Sequence, residues 1–286
     1  MQLLPKPLPR PKPLKRSEVG RRMTIALGIL ASDGIVIAAD SQETYGDYFK
    51  AFALKIHRAM THSNIHSDVK SAIVITGSGA SVYLDAVSQE IIKEFHSRQH
   101  RTVDDLELHL KQFQEDFWAK HVTPLLPHID RQFELIIGAE IEGRCRLWRT
   151  DANVIKPSES FEAVGTGHSY ARMAIERHVY DLSAQNAAIL AVLGVMRAKE
   201  YDNYCGKSTM VTIVKENRTY TVPWYLIEQA EKLFRKYAGY DHSAFVHALA
   251  SERLEDSKRL QNLNESLTSL RAEFTQLAAD FLAHPD

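Results

Sequence analysis

The spacing of apolar positions along this chain changes period several times, and each change marks an element. Thr24–Leu30 and Ile35–Ala39 are apolar runs rich in strand formers, separated by Asp33-Gly34. Asp-Gly tolerates the positive φ of tight turns, so the two runs predict a β-hairpin. A third run, Ala72–Thr76, ends in Gly77-Ser78-Gly79. The period then becomes helical: Tyr83, Val87, Ile91 and Phe95 recur every four residues on one face. A second helix is predicted from Thr102, whose hydroxyl forms a capping-box pattern with Asp105. It carries Leu106, Leu110, Phe113 and Phe117 on one face.

Phe133–Ile141 and Arg144–Trp148 read as a second strand pair turned at Glu142-Gly143. Two helical stretches follow, about 169–179 and 183–201, then strands near Thr209–Val214 and Thr219–Val222. Strands, two helices, strands, two helices, strands is not the alternation of a parallel-sheet fold. It predicts an α+β chain built as a four-layer αββα sandwich, two antiparallel sheets face to face with a helix pair outside each.

Beyond residue 222 a helical C-terminal extension is expected over 223–286. Leu260, Leu263, Leu267, Leu270, Phe274, Leu277 and Phe281 are spaced 3-4-3-4-3-4, three heptads of a coiled-coil seam. Such a stripe serves oligomerisation or packs on its own domain, and the spacing fits both.

Composition narrows the class. Of 286 residues 44% are hydrophobic and 25% charged, ordinary for a soluble globular protein. No apolar run approaches the roughly 18 residues that span a bilayer, so no membrane role is expected. Two cysteines, Cys145 and Cys205, make no disulfide framework and suit a reducing cytoplasm. A formal charge of −1 gives no electrostatic reason to expect nucleic acid. The charge is unevenly placed, however. Residues 1–22 hold seven Lys/Arg and one acid, and without them the remainder carries −7. Five prolines at alternate positions from 5 to 13 favour a polyproline-II arm. Residues 1–23 therefore read as a basic, proline-rich arm or propeptide before a domain spanning 24–222.

The candidate chemistry lies at the head of that domain. Asp40 ends a buried apolar strand, where a lone carboxylate is costly and a partner cation is expected. Lys55, in Leu54-Lys55-Ile56-His57-Arg58, is the nearest candidate, expected on a following strand. His62 and His66, and His96 and His100, stand at i,i+4 without further ligands and read as solvated faces. No metal or other cofactor is expected.

Several ordered motifs carry a resemblance. Thr24 is followed by Gly28, Asp33-Gly34, Ala38-Ala39-Asp40 and Thr44-Tyr45-Gly46, with Lys55 beyond. Ala163-Val164-Gly165-Thr166-Gly167 and Asp202-Asn203-Tyr204-Cys205-Gly206 lie far downstream. Together they resemble the proteasome β-subunit and HslV-like N-terminal-nucleophile hydrolase family over about 24–222. Three departures stand out. Lys55 needs one deletion in the preceding loop, Cys205 and Thr166 occupy serine positions, and Gln42 stands where an arginine is usual.

The resemblance implies that the Thr24 hydroxyl is the nucleophile, with its own α-amine, of reference pKa about 7.7–8, as base. Lys55 would hold positive charge beside that oxygen, and Asp40 would orient Lys55. Thr166, Asp202 and Cys205 would position the amine, and the Gly77 N–H would serve the oxyanion. Thr44 and Gly79 would pair with an extended peptide, and Ile75 would floor the first specificity pocket. The implied activity is threonine-type endopeptidase action on peptides or unfolded proteins inside a cytoplasmic homo-oligomeric ring. The chain has no phosphate-binding loop, so an ATP-dependent unfoldase would be a separate chain. The alternatives are a catalytically silent scaffold subunit and a small-amide hydrolase. Thr24 must also become the first residue, and Met23 before it suits methionine removal if synthesis starts there.

Overall fold

A computed structural model of the chain describes residues 24–45, 49–61, 70–98, 100–125, 133–250 and 256–283. The arm 1–23 with Met23, Gly46, His62 and His66 lie outside the described residues.

Six strands come first: β1 (Ala26–Ala31), β2 (Gly34–Asp40), β3 (Gln42–Tyr45), β4 (Phe49–Phe52), β5 (His57–Thr61) and β6 (Ser71–Gly79). Helices α1 (Ser81–Ser97) and α2 (Val103–Phe117) follow, then β7 (Phe133–Ile141), β8 (Arg144–Asp151), β9 (Val154–Ser158) and β10 (Phe161–Val164). The chain continues with α3 (His168–Ile175), α4 (Ala184–Tyr201), β11 (Thr209–Lys215), β12 (Arg218–Thr221), α5 (Trp224–Ala250) and α6 (Asp256–Asp280).

The strands form two five-stranded antiparallel sheets, ordered β10-β1-β2-β11-β12 and β5-β6-β7-β8-β9, with β3-β4 as a separate ribbon. Alternation along the strands sorts the side chains into three apolar layers. Ala26, Ile35, Ile37 and Ala39 of the first sheet meet Ala72, Val74, Ile136 and Leu147 of the second. Ile73, Ile75 and Leu135 face the other way, onto Val87, Ile91 and Phe95 of α1 and Leu106 and Leu110 of α2. On the opposite flank, Leu27, Ile29, Val36 and Ala38 pack against α3 and α4. The predicted four-layer sandwich is thus the architecture, and among the described residues no helix is long and apolar enough to cross a membrane.

Local signals explain the element boundaries. Thr102 and Asp105 exchange both capping-box bonds at 3.1 Å, starting α2 where expected. The Asp33 turn joins β1 to β2 and also reaches across the fold. One carboxylate oxygen accepts from the Ala184 N–H at 2.7 Å, in the first turn of α4, and the other from Lys215 at 2.7 Å. α4 buries Ala187, Ala188, Ala191, Val195 and Ala198, small residues that let it lie close on the sheet.

The tail packs at home along the part whose side chains are described. Leu270, Leu277 and Phe281 are buried, and the Phe274 ring packs tilted by 43° against Phe234 of α5, centroids 5.0 Å apart. The C-terminal half of the heptad stripe therefore packs on α4 and α5 of its own chain, because α5 supplies an apolar face that the sequence reading had not placed. The side chains of Leu260 and Leu263 are outside the described part.

Candidate active site

The β1–β2 hairpin creates the site. Its two-residue turn sets Ala26 opposite Ala39, so Thr24 and Ile25 just before β1 and Asp40 at the end of β2 become neighbours. Asp40 is fully buried and Thr24 is 4% exposed. The Thr24 hydroxyl donates to Asp40 Oδ1 and accepts from the Lys55 ammonium. Lys55 Nζ also pairs with Asp40 Oδ1 at 2.8 Å and donates to the Gln42 carbonyl. The sequence reading put Lys55 on a strand. It lies instead in the unpaired segment just before β5, where the chain leaves the β3-β4 ribbon and Thr76 Oγ1 clamps the Lys55 carbonyl at 2.8 Å.

Asp40 is held from three further directions. Ile25 N donates to Oδ1 at 3.2 Å, while Gly206 N and Gln42 N donate to Oδ2 at 2.9 and 3.4 Å. A buried carboxylate is tolerated when such donors and a cation replace its water. The same shell fixes the oxygen that carries the Thr24 proton contact.

The main chain of Thr24 is fixed by the β10–α3 turn, where Gly167 N donates to the Thr24 carbonyl at 3.3 Å. Gly165 has φ +98, and a Cβ there would stand 2.1 Å from the Thr24 oxygen, so only glycine fits. The Thr166 hydroxyl is buried next to this turn without a hydrogen-bond partner. Behind Gly167 lies the loop after α4. Asp202 accepts from Tyr204 N at 2.9 Å and from the Cys205 thiol at 3.5 Å. Burial, then the negative charges of Asp40 and Asp202, push the Cys205 thiol well above its ordinary pKa, so it stays protonated.

The expected peptide-binding positions fall on different elements. Gly77 and Gly79 end β6, and Thr44 sits on β3 opposite Lys50. Neither glycine bonds to Thr24. Ile75 is fully enclosed in the layer between the second sheet and α1, so its side chain presents no open surface. Three contributors escaped the sequence reading. Gln42 registered only as a departure from pattern, yet its main chain touches both Asp40 and Lys55, and its amide reaches the Asn203 carbonyl at 3.4 Å. The Gly206 N–H and the Ser78 hydroxyl gave no signal, because backbone donors and a serine between glycines are common everywhere.

As a chemical device, the arrangement presents a hydroxyl held between a carboxylate and an ammonium at the head of a chain segment. Among the described residues no group of three His, Cys, Asp or Glu side chains could hold a metal ion.

Comparison with known proteins identifies the family and the fold. Residues 22–214 match the family described as proteasome subunit. Proteasome subunit beta 1 of Thermococcus gammatolerans is 27% identical over 202 residues, covering 68% of this chain and 90% of that protein. The proteasome subunit beta of Methanococcus aeolicus is 24% identical over 218 residues, 73% of this chain and 91% of that one. Among solved structures, Anbu, the ancestral beta-subunit, from Yersinia bercovieri has a TM-score of 0.62 at 15% identity, covering 80% of this chain and 98% of that one. The Anbu complex of Pseudomonas aeruginosa, solved as a helical assembly, gives 0.62 at 15% identity over 78% and 95%. These last two speak to the fold. With the family's match running from just before Thr24 to the end of β11, well over half its length, the chain belongs to the proteasome subunit family.

Proposed function

We propose that this chain is a threonine-type endopeptidase of a proteasome-like homo-oligomeric ring in the cytoplasm, using Thr24 as an amino-terminal nucleophile. The observation that carries the reading is the Lys55–Asp40 ion pair closed on the Thr24 hydroxyl. A threonine hydroxyl needs a base to become nucleophilic. Once residue 24 is first, its α-amine takes the Oγ1 proton as the oxygen bonds to the substrate carbonyl carbon. The proton passes to the leaving amine as the C–N bond breaks, and water then hydrolyses the Thr24 ester. Lys55 stabilises charge on Oγ1, Asp40 holds Lys55, and the Gly77 N–H is the assigned donor to the oxyanion. Thr166, Asp202 and Cys205 position the amine. Thr44 and Gly79 align an extended peptide, delivered by a separate ATP-driven unfoldase.

Intact-mass measurement of the natural protein, joined to a casein-cleavage assay, tests this. The expected result is a chain beginning at Thr24 that degrades unfolded casein. A chain that keeps residue 23, and is inactive, identifies a silent scaffold subunit instead. Turnover of small amides but not casein identifies an amidase.

A further inference from the structure

Ser78 is the one residue at the site whose chemistry is unaccounted for. Along β6 its side chain shares the inter-sheet face with Ala72, Val74 and Thr76. Thr76 uses its hydroxyl to fix Lys55. Ser78 is 0% exposed, and its Oγ has no hydrogen-bond partner. Gly165, on the facing sheet, shows what it approaches. A Cβ on Gly165 would lie 3.0 Å from Ser78 Oγ and 2.1 Å from the Thr24 carbonyl oxygen. The two oxygens are therefore no further apart than the sum of those distances, which puts Ser78 Oγ beside the Thr24 main chain. Thr166 Oγ1, beside the same turn, is the second buried hydroxyl without a partner. An orphaned buried hydroxyl is destabilising, and native folds seldom tolerate two at one place without a use.

We propose that Ser78 is a positioning residue for the free α-amine of Thr24, holding it from the second sheet while Thr166 holds it from the first. The inference rests on the amino-terminal reading above. Freeing residue 24 replaces an amide carrying one N–H with an amine or ammonium carrying two or three, the only change in donor number that the site undergoes. A hydroxyl accepts from the ammonium and donates to the neutral amine, so Ser78 serves both protonation states. The charged and titratable groups that face this position are Lys55 and Asp40 at the Thr24 hydroxyl, Asp202 and Cys205 behind Gly167, His168 of α3, whose Nδ1 shares a hydrogen bond with the Gly165 carbonyl at 2.8 Å, and Glu134 opposite Ser78 in register. Glu134 is occupied by Arg149 at 2.8 Å.

The test uses the assembled protein with residue 24 first, as wild type, Ser78→Ala and Ser78→Cys, which keeps the side-chain size with a weaker hydrogen bond. Two quantities are read: the pH profile of peptide hydrolysis, and the pH dependence of α-amine acylation by acetic anhydride, followed by mass spectrometry. The charge-assisted bond to the ammonium is the stronger of the two, so losing Ser78 Oγ disfavours the ammonium more, and both midpoints shift to lower pH in Ser78→Ala and less far in Ser78→Cys. Turnover falls about tenfold, the scale of one net hydrogen bond, with KM within twofold. Unchanged acylation midpoints in the variants overturn the proposal. Because acylation needs no catalysis, an inactive wild type sinks the peptidase reading while leaving this measurement decisive for Ser78.

Discussion

Gly206 donates its backbone N–H to Asp40 Oδ2 at 2.9 Å, across a separation of 166 residues. That bond ties the loop of Asp202 and Cys205 to the carboxylate that holds Lys55. The two sides of Thr24, hydroxyl and main chain, are consequently set by one connected group of atoms rather than by independent neighbours.

Thr24→Ala should leave the fold intact and remove peptide hydrolysis. In the proposed mechanism the hydroxyl is the nucleophile, and losing the nucleophile of such a unit typically costs about 10⁶ in rate. Thermal melting close to wild type together with no casein cleavage is the expected pair of results. Wild-type turnover by the variant would end the mechanism.

Lys55→Ala should be about as damaging to turnover as Thr24→Ala, and Asp40→Asn somewhat less. Both side chains touch the Thr24 oxygen, but only Lys55 brings the positive charge that stabilises charge developing on it. Lys55→Ala also leaves the fully buried Asp40 without its cation, so its melting temperature should fall. Retention of more than about a tenth of activity puts less than ~1.4 kcal/mol of barrier at stake and makes Lys55 structural.

Leu270→Ala and Phe281→Ala should each destabilise the single subunit by about 2–5 kcal/mol, the range for large-to-small changes in a packed core. Both side chains are buried against their own chain. Urea unfolding should show lower midpoints with unchanged slope. If stability is untouched and only oligomer mass falls in light scattering, the stripe belongs to an interface between subunits.

His100 and His109 should make the α1–α2 corner acid-sensitive. Their rings lie 5.4 Å apart, and burial first, then repulsion from each other or from Arg98, lowers both pKa values. The unfolded groups titrate near about 6.5, so the native state binds fewer protons just below that pH. This contribution to stability is complete above pH ~6.5 and is lost as pH falls through that value toward the lowered native ones. Comparing urea midpoints at pH 7.5 and 5.0 checks it, and His100→Asn with His109→Gln should shrink the difference.

Much of the fold was legible because its signals are local. The Asp33-Gly34 turn, the Thr102–Asp105 box and the four-residue stripe from Tyr83 each depend on neighbours within a few positions. The short strands β3, β4, β9 and β10 were not legible, since four or five mixed residues set no period. β10 exists because Ala163 finds Leu27 far back in the chain. The apolar face of α5, within the expected helical extension, was not placed for a related reason: Leu226, Ile227, Ala230 and Phe234 are buried by elements distant in sequence, α4, α6 and β11. At the site, side chains with unusual chemistry, Thr24, Asp40 and Lys55, were readable from sequence. The Gly206 N–H and the Gln42 carbonyl were not, because every residue type carries them.

The protonated thiol of Cys205 bears on how the protein can be silenced. Reagents that alkylate cysteine act on the thiolate. Cys205 is buried between two carboxylates that oppose its ionisation, and burial raises Cys145 to about 12. Iodoacetamide and maleimides should therefore pass both sulfurs by. Electrophiles that esterify a hydroxyl, such as β-lactones, would meet Thr24 instead. Inhibitor profiling would class this chain apart from cysteine hydrolases despite a cysteine packed against Gly167, whose N–H holds the Thr24 carbonyl.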